Sequence, residues 1–396
     1  MKQTTKFYLS SFLKNQTYFT PVIILFLQIN NLSFQEIFWV FTIGTVVAFI
    51  AEIPTGIFAD LFGKKKSVII SKIGIFLSFV VFGFSHSFWM FVLAQILFEL
   101  GNSFRTGTET AYVYDYLDQT KETSYKIVKA NQKVYARTGE AIATAIGSFI
   151  VVYINNLTNS NFGYNAVFFV AAIPAFFNFI NAVSWTKIRE KKHKINFNET
   201  VIHTKDSVKE VIFSKITLII VINIMIFTSV LAALAKFIQP YMLEASVPVA
   251  YFGIIYTGAL FLTAAAIKYY NKIEDKFDQR KTINLLTIAA VIPAIILGLG
   301  FISVIGVILF FLLVIVENIR SPIANDEFNK NVKSDTRATT GSILSLSKSL
   351  GKIAILPLAG WIADTWTMFT AILIMAIILL INGLLFYIGK NGRRNK

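Results

Sequence analysis

Charged side chains inside long apolar segments are the residues of this sequence best suited to chemistry. The mostly apolar stretch 88–117 carries Arg105, Glu109 and Asp115. An ionisable group at bilayer depth costs at least ~2.5–3.5 kcal/mol, so such groups are kept where they face a polar interior and bind an ion, a proton or a solute. The pattern predicts a binding and proton-transfer site, and no catalytic residue.

One helical face would collect most of these groups. At ~100° per residue a polar arc of about 80° would hold five side chains: Asn102, Arg105, Glu109, Tyr112 and Tyr116. Arg105 and Glu109 have the four-residue spacing of a helical ion pair. Glu109 is the first candidate for proton coupling, followed by Glu52, which lies beside Pro54, and by Asp115. The alternative is an ion pair that only fixes the register of the helix.

The elements that must position these groups are predicted from the apolar pattern. Of 396 residues, 55% are hydrophobic and 15% charged, and the mean hydropathy is +0.63. Soluble domains carry ~25% charged residues, and a membrane span needs roughly 20 apolar residues. The sequence therefore predicts an all-α polytopic membrane protein with twelve spans: 5–29, 34–60, 66–85, 88–117, 134–154, 163–186, 216–243, 249–271, 282–299, 303–327, 336–363 and 367–389.

The distribution of Lys and Arg predicts the orientation of these spans. Alternate connections are basic, whereas those between them contain no Lys or Arg. Because basic connections stay in the cytoplasm, both chain termini are expected there. We predict an N-terminal bundle over 1–186, a C-terminal bundle over 216–396 and, between them, a cytoplasmic linker over 187–215 with an amphipathic helix.

An internal repeat supports two pseudo-symmetric bundles of six helices. At a constant offset of 215 residues, the segment 60–66 matches 275–281, Arg105 matches Arg320 and Lys133 matches Lys348. Duplicated halves are a known transporter design, and halves with the same parity of spans form a parallel repeat.

The remaining interior charges predict a central cavity. Every third span is almost free of interior charge and is expected to face lipid, which leaves eight helices around a polar centre. The cavity candidates are Lys14, Glu99, Asn102, Arg105, Tyr112, Glu140, Lys236, Gln239, Glu317, Arg320 and Lys348.

Several functional classes are excluded by composition. The chain has no Cys and no nucleotide-binding loop, which excludes thiol chemistry and argues against ATP-driven transport. Its net charge of +15 is explained by the basic connections, so no nucleic-acid partner is expected. We expect no cofactor and no metal, a monomer, and a small molecule, protons and the lipid bilayer as partners.

The segment Gly56-Ile-Phe-Ala-Asp60-Leu-Phe-Gly63-Lys64-Lys65-Lys66 resembles the loop 2–3 signature of the major facilitator superfamily. The resemblance implies a rocker-switch carrier with six plus six helices. It also implies a cytoplasmic gate, formed by Gly56, Asp60, Gly63, Lys64 and, through the repeat, Asp275. Leu61 replaces the usual basic residue of the signature. Span 5 has Gly139 and Gly147 without the proline of drug–proton antiporters, which weakens an assignment to drug efflux.

The functional prediction is a secondary active transporter for a small organic solute in a bacterial cytoplasmic membrane. We expect proton coupling, with a preference for export. A proton-coupled uptake symporter is one alternative, and a non-transporting receptor or assembly protein that reuses the fold is another. The buried groups include both carboxylates and cations, so the charge of the solute stays open.

Overall fold

A computed structural model describes residues 1–189, 214–270, 278–332 and 337–391, without the side chains of 337–340 and 389–391. Within these ranges the chain is helical and contains no strand. A 3-10 turn, Val249–Tyr251, precedes the tenth of the helices. The helices are α1 (Gln3–Leu13), α2 (Ile23–Ile29), α3 (Phe34–Phe62), α4 (Lys64–Phe84), α5 (Phe88–Arg105), α6 (Thr108–Thr120), α7 (Tyr125–Thr158), α8 (Gly163–Val183), α9 (Lys215–Glu244), α10 (Phe252–Tyr270), α11 (Gln279–Gly298), α12 (Val304–Lys330), α13 (Arg337–Thr365) and α14 (Met368–Asn391).

Ten segments of the described chain are helices long and apolar enough to cross a membrane. They correspond to ten of the predicted spans, and the all-α membrane fold is confirmed. The predictions for 5–29 and 88–117 as continuous helices are wrong, because each is divided into two shorter helices, α1 with α2 and α5 with α6. The count of twelve spans requires each divided pair to cross the membrane together, and it stays a prediction.

The chain forms two compact units. The first consists of Met1–Leu32, Ile43–His193 and Pro248–Gly258, and the second of Ser33–Thr42, Lys194–Val247 and Ala259–Lys396. In the first unit, α4 packs on α5 and α8, and α1 packs on α7 and α8. In the second, α9 packs on α12, α13 and α14, and α11 packs on α12 and α14.

Each unit includes the beginning of one helix that continues in the other unit. Residues 33–42, at the start of α3, belong to the second unit, and 248–258, at the start of α10, belong to the first. In the second unit, the Asp364 carboxylate accepts hydrogen bonds from the backbone N–H groups of Phe34 (2.9 Å) and Gln35 (2.8 Å). In the first unit, the Gly253 N–H donates to Ser148 Oγ (2.8 Å). The exchanged segments are related by the same offset of 215 residues as the sequence repeat.

The predicted boundaries at 186 and 216 did not include this exchange of residues 33–42 and 248–258 between the units. The division of the chain into two six-helix bundles at these boundaries stays a prediction. Most of the predicted linker, residues 190–213 with its amphipathic helix, lies outside the described residues.

The interruption between α1 and α2 has a local cause. Pro21 cannot donate a backbone hydrogen bond and disfavours helical geometry in the residue before it. The Asn15 side chain donates to the carbonyl of Ser11 (2.7 Å), which competes with the backbone for that acceptor. The Gln16 side chain then donates to the carbonyl of Gly139 on α7 (3.3 Å). The chain therefore leaves the helix after Leu13, and Lys14 stands at the break.

Gly147 allows α7 to approach the interrupted segment, which gives a prediction for stability. A Cβ atom at Gly147 would overlap the carbonyl oxygen of Tyr18 and lie 2.9 Å from its carbonyl carbon. We expect Gly147→Ala to lower the midpoint of thermal unfolding of the detergent-purified protein, because overpacking in a close contact typically costs about 1–3 kcal/mol. Gly258→Ala is the matched control, since Gly258 is also helical and a Cβ there meets no atom within 4 Å. Its midpoint should stay the same or rise. A Gly147→Ala protein as stable as the control would contradict the close packing.

Candidate functional site

The break between α5 and α6 places Glu109 in the first turn of a new helix. Thr106 leaves helical geometry, and Gly107 has a φ of 77°, a left-handed conformation that favours glycine. Glu109 follows in the first turn of α6, where the helix dipole favours a negative charge. The break thus turns Glu109 relative to Arg105, and the two do not form the predicted pair.

Glu109 instead lies between two lysines from other helices. Its Oε2 atom is 3.0 Å from Lys72 Nζ on α4, and its Oε1 atom is 3.7 Å from Lys14 Nζ at the end of α1. Lys72 and Glu109 are buried, with side-chain exposures of 1% and 7%, whereas 24% of the Lys14 side chain is exposed. Glu109 Oε1 is buried and accepts no hydrogen bond from any residue that the structure describes. A carboxylate with two ammonium neighbours is stabilised in its charged form, and Lys14 connects it to a more open region.

That region is a cleft of about 600 Å3 inside the first unit. It lies between the end of α1, the α5–α6 break and the first turns of α7. Its lining is mostly polar, and it contains four basic side chains and one carboxylate: Lys14, Arg105, Lys129, Lys133 and Glu109. Lys129 Nζ donates to Thr110 Oγ1 (3.0 Å), and Arg105 Nη2 donates to Asn102 Oδ1 (3.1 Å). The cleft therefore offers several hydrogen-bond donors and positive charges to a small polar ligand.

The aromatic members of the predicted stripe lie elsewhere. Tyr112 donates a hydrogen bond to the carbonyl of Thr186, and its ring stacks on Trp185 at 5.1 Å between centroids. Tyr116 donates to Glu122 Oε2 (3.0 Å). Both rings pack around Phe7 in an aromatic core of the first unit. Asn102 and Arg105 of the predicted stripe are in contact with each other, but the stripe does not continue beyond the end of α5.

The other candidates of the first unit have separate partners. Asp115 forms an ion pair with Lys64, and Glu140 pairs with Arg137 at 2.6 Å on α7. Glu99 accepts from the side chain of Gln95 (3.1 Å). Glu52 is exposed on α3. None of these carboxylates lines the cleft.

In the second unit, Arg320 is a buried structural cation. It is 1% exposed, donates to Asn223 Oδ1 and to Thr287 Oγ1 (3.1 Å for the latter), and lies 3.8 Å above the Phe227 ring. These contacts join α12 to α9 and α11. A guanidinium enclosed by neutral acceptors and an aromatic ring stabilises packing and is poorly placed to meet a solute.

The remaining candidates of that unit fall into two groups. Lys236 Nζ lies 3.3 Å from the centre of the Phe41 ring, and Gln239 is buried on the same helix. Lys348 donates to Asn325 Oδ1 (3.1 Å). Glu317, on α12, is half-buried, and its charge interacts with those of Lys352, Lys348 and Arg320.

Among the predicted gate residues, Gly63 has a conformation that explains its type. It stands between α3 and α4 with a φ of 101°, where any side chain would be strained. Lys64 is held by Asp115, so a predicted gate residue and a predicted proton site are partners. Gly56 and Asp60 are exposed on α3, and Asp275 lies outside the described residues. Their gating role stays a prediction.

This loop gives a testable prediction. Gly63→Leu should strongly lower solute-driven proton movement in proteoliposomes, because the α3–α4 turn requires a positive φ. Asp60→Asn should do the same at normal expression, because it removes an exposed carboxylate without changing the turn. Wild-type rates in both variants would exclude this loop from the transport cycle.

Lys72, Lys129 and Lys133 were not among the predicted site residues, although the repeat had matched Lys133 with Lys348. Lys72 is the one charge within an otherwise uncharged span, and its burial in an apolar helix was the available signal. Lys129 lies in the basic segment before the apolar part of α7. The sequence around it looks like an ordinary cytoplasmic connection and gives no sign of a site. Lys72 and Lys129 become recognisable once the α5–α6 break directs Glu109 towards them.

Long apolar helices, a buried ion cluster and an adjoining polar cleft are the features of a polytopic membrane protein with room for a small polar ligand. The profile of the Major Facilitator Superfamily matches residues 7–317, and the chain belongs to this superfamily. The family resemblance seen in the loop 2–3 signature is thereby confirmed, and the protein is a secondary transporter.

Three related proteins illustrate the similarity. YxaM of Bacillus subtilis (strain 168), an uncharacterized MFS-type transporter, is 23% identical over 375 residues, which covers 93% of this chain and 91% of YxaM. The crystal structure of the nucleoside transporter NupG has a TM-score of 0.82 at 15% identity and covers 99% of this chain and 100% of its own. That of a D-xylose-proton symporter has a TM-score of 0.75 at 11% identity, with 97% and 96% covered. At these identities, the two structures support the fold alone.

Proposed function

We propose that this protein moves a small organic solute across the cytoplasmic membrane of a bacterium by alternating access, with protons as the coupling ion and without chemical conversion of the solute. Its relative in Bacillus subtilis supports the bacterial assignment. The D-xylose-proton symporter is a carrier of similar fold that uses protons.

The observation that carries the proposal is the cluster of Lys14, Glu109 and Lys72 at the edge of the cleft. It combines a titratable carboxylate whose side chain is 7% exposed with an ammonium group that is partly open to a solute-sized space. A coupled carrier needs a group whose protonation alters the binding of the solute. Protonation of Glu109 would neutralise the charge that attracts Lys14, and Lys14 would become available to a ligand in the cleft.

A membrane receptor or assembly protein with the same fold is the main alternative. Such a protein would also need a ligand-sized cleft, but it would not need a titratable carboxylate beside it. The cluster therefore favours a carrier over a receptor. It is compatible with both export and uptake.

The test is proton movement in proteoliposomes. A thermal-shift screen of the purified protein against a metabolite library selects solutes that stabilise it. Proteoliposomes loaded with the pH indicator pyranine then receive each selected solute outside, without an imposed potential. We expect a change of the internal pH that a protonophore abolishes and that empty liposomes lack. Ligands that stabilise the protein but never move protons or cross the membrane would overturn the proposal in favour of a receptor.

A further inference from the structure

The cleft of the first unit has more positive charge than its own carboxylate can balance. Lys14, Arg105, Lys129 and Lys133 line it, and Lys72 lies behind Glu109. Glu109 is the single acid among the lining residues and is already shared by two lysines. In the part of the chain that the structure describes, no carboxylate lies within 4.0 Å of Arg105, Lys129 or Lys133.

We infer that the cleft binds an organic solute with at least two negative charges, such as a phosphate monoester or a dicarboxylate. This inference rests on the proposed function and specifies its substrate class. Arg105 uses one of its five N–H donors on Asn102, and Lys129 uses one of its three on Thr110. The remaining donors suit the oxygens of a phosphate or carboxylate group, with which charge-assisted hydrogen bonds form.

The second half of the repeat shows that this charge is not a general property of the fold. At the offset of 215 residues, Thr287 stands in place of Lys72 and Ala324 in place of Glu109. Pro322 stands in place of Gly107, and α12 continues through it as one helix. The equivalent arginine, Arg320, is enclosed by Asn223 and Thr287. Lys133 keeps a cationic counterpart, Lys348, but the helix break and the acid occur together in the first half alone among the described residues.

The arrangement also links the anion to the proton. Glu109 contacts Lys14 at the end of α1 and Lys72 on α4, and Arg105 of α5 and Lys129 of α7 lie within electrostatic range of it. An anion that pairs with Lys14 competes with the Glu109 carboxylate for it, and a proton on Glu109 removes the competition. Because such linkage is reciprocal, the anion and the proton favour each other's binding. They would cross in the same direction, so the inference favours symport over the export expected from the sequence.

Binding to the purified full-length protein in an uncharged detergent tests the inference. Isothermal titration calorimetry compares three dianions of different shape, phenyl phosphate, succinate and 1,3-benzenedisulfonate, with neutral benzenesulfonamide. We expect at least one dianion to bind and the neutral compound not to bind. The affinity for the fixed-charge disulfonate should increase from pH 8 to pH 6 in the wild type and not in Glu109→Gln. Failure of all three dianions to bind at millimolar concentrations would overturn the inference.

Matched variants identify the site. Arg105→Gln and Lys133→Gln should each weaken dianion binding at least about tenfold, the effect of losing a charge-assisted contact. Lys66→Gln is the control, because Lys66 is an exposed lysine of the same unit that does not line the cleft. Equal weakening in all three variants would reveal non-specific attraction and contradict a defined site.

Two further comparisons distinguish a bound lipid from a transported solute and a receptor from a carrier. If nanodiscs containing phosphatidylglycerol abolish dianion binding that nanodiscs of phosphatidylcholine preserve, the cleft holds a lipid headgroup and the solute assignment is wrong. The proposed function fails separately: a protein that binds dianions but moves neither solute nor protons is a receptor with an anion site. A protein that moves protons with a neutral or cationic solute and binds no dianion is a carrier for which this inference is wrong.

Discussion

Glu109→Gln should abolish proton-driven accumulation of the solute and leave solute exchange largely intact. Glutamine keeps the size and hydrogen-bonding capacity of the side chain, but it cannot gain or lose a proton. Because it also removes the partner of the buried Lys72, it should lower the midpoint of thermal unfolding, so transport is compared at equal amounts of folded protein. Lys14 would no longer be attracted by a carboxylate at 3.7 Å, so the cleft would remain ready for its ligand. Accumulation under an imposed pH gradient and counterflow without a gradient are measured in the same proteoliposomes, with a solute that moves protons in the wild-type protein.

Asp118→Asn is the control for this experiment. It also neutralises a carboxylate of α6, but Asp118 pairs with Lys121 at the surface, and both side chains are more than half exposed. Accumulation should equal that of the wild type. If Glu109→Gln still accumulates solute with unchanged pH dependence, then Glu109 serves to hold Lys72 and Lys14 in place, and the coupling residue lies elsewhere.

Lys72→Met should strongly destabilise the first unit. The side chains of Lys72 and Glu109 are 1% and 7% exposed and 3.0 Å apart. Without Lys72, the buried Glu109 carboxylate keeps only the longer contact with Lys14 at 3.7 Å. Removing one partner of a buried pair typically costs about 3–5 kcal/mol. Methionine preserves the length and apolar character of the lysine chain, so the loss reflects the charge rather than a cavity. The yield of monodisperse protein and the midpoint of thermal unfolding are the measurements.

The double variant Lys72→Met/Glu109→Gln separates stability from coupling. With both charges of the pair removed, no unpaired charge is left buried there. The unfolding midpoint should therefore return most of the way to the wild-type value. Proton-driven accumulation should stay absent, because the titratable group is missing. A double variant no more stable than Lys72→Met would show that the pair does not account for the stability of this region.

The positions of most helices could be predicted from the sequence because long apolar runs between charged connections have few alternatives in a membrane. The predicted span 216–243 and the observed helix Lys215–Glu244 differ by one residue at each end. The match to the superfamily from residue 7 to 317 confirms what the loop 2–3 signature indicated.

The two helix breaks could not be predicted from apolar content, because an interrupted helix has nearly the same composition as a continuous one. Isolated glycines and prolines are also found within intact membrane helices, as Pro54 is within α3 and Pro322 within α12. Gly107, in contrast, adopts a positive φ and divides its helix. Apolar content does not distinguish a glycine in this conformation from a glycine or proline within an intact helix.

The candidate site could be predicted only in part, because the helix breaks that shape it could not be predicted. Lys14, Arg105 and Glu109 were recognised as interior charges, and the structure places all three at the cleft. Their arrangement was derived from a continuous helix, which wrongly directed Tyr112 to the same face and paired Glu109 with Arg105. The actual partner, Lys72, lies 37 residues away in sequence, where no spacing rule applies.

Helices α3 and α10 each begin in one unit and continue in the other. The start of α3, residues 33–42, is held by Asp364 in the second unit, and the start of α10, residues 248–258, by Ser148 in the first. Each helix therefore has backbone amides in both units. Amide hydrogen exchange along either helix should report on the local stability of one unit near its start and of the other unit further on.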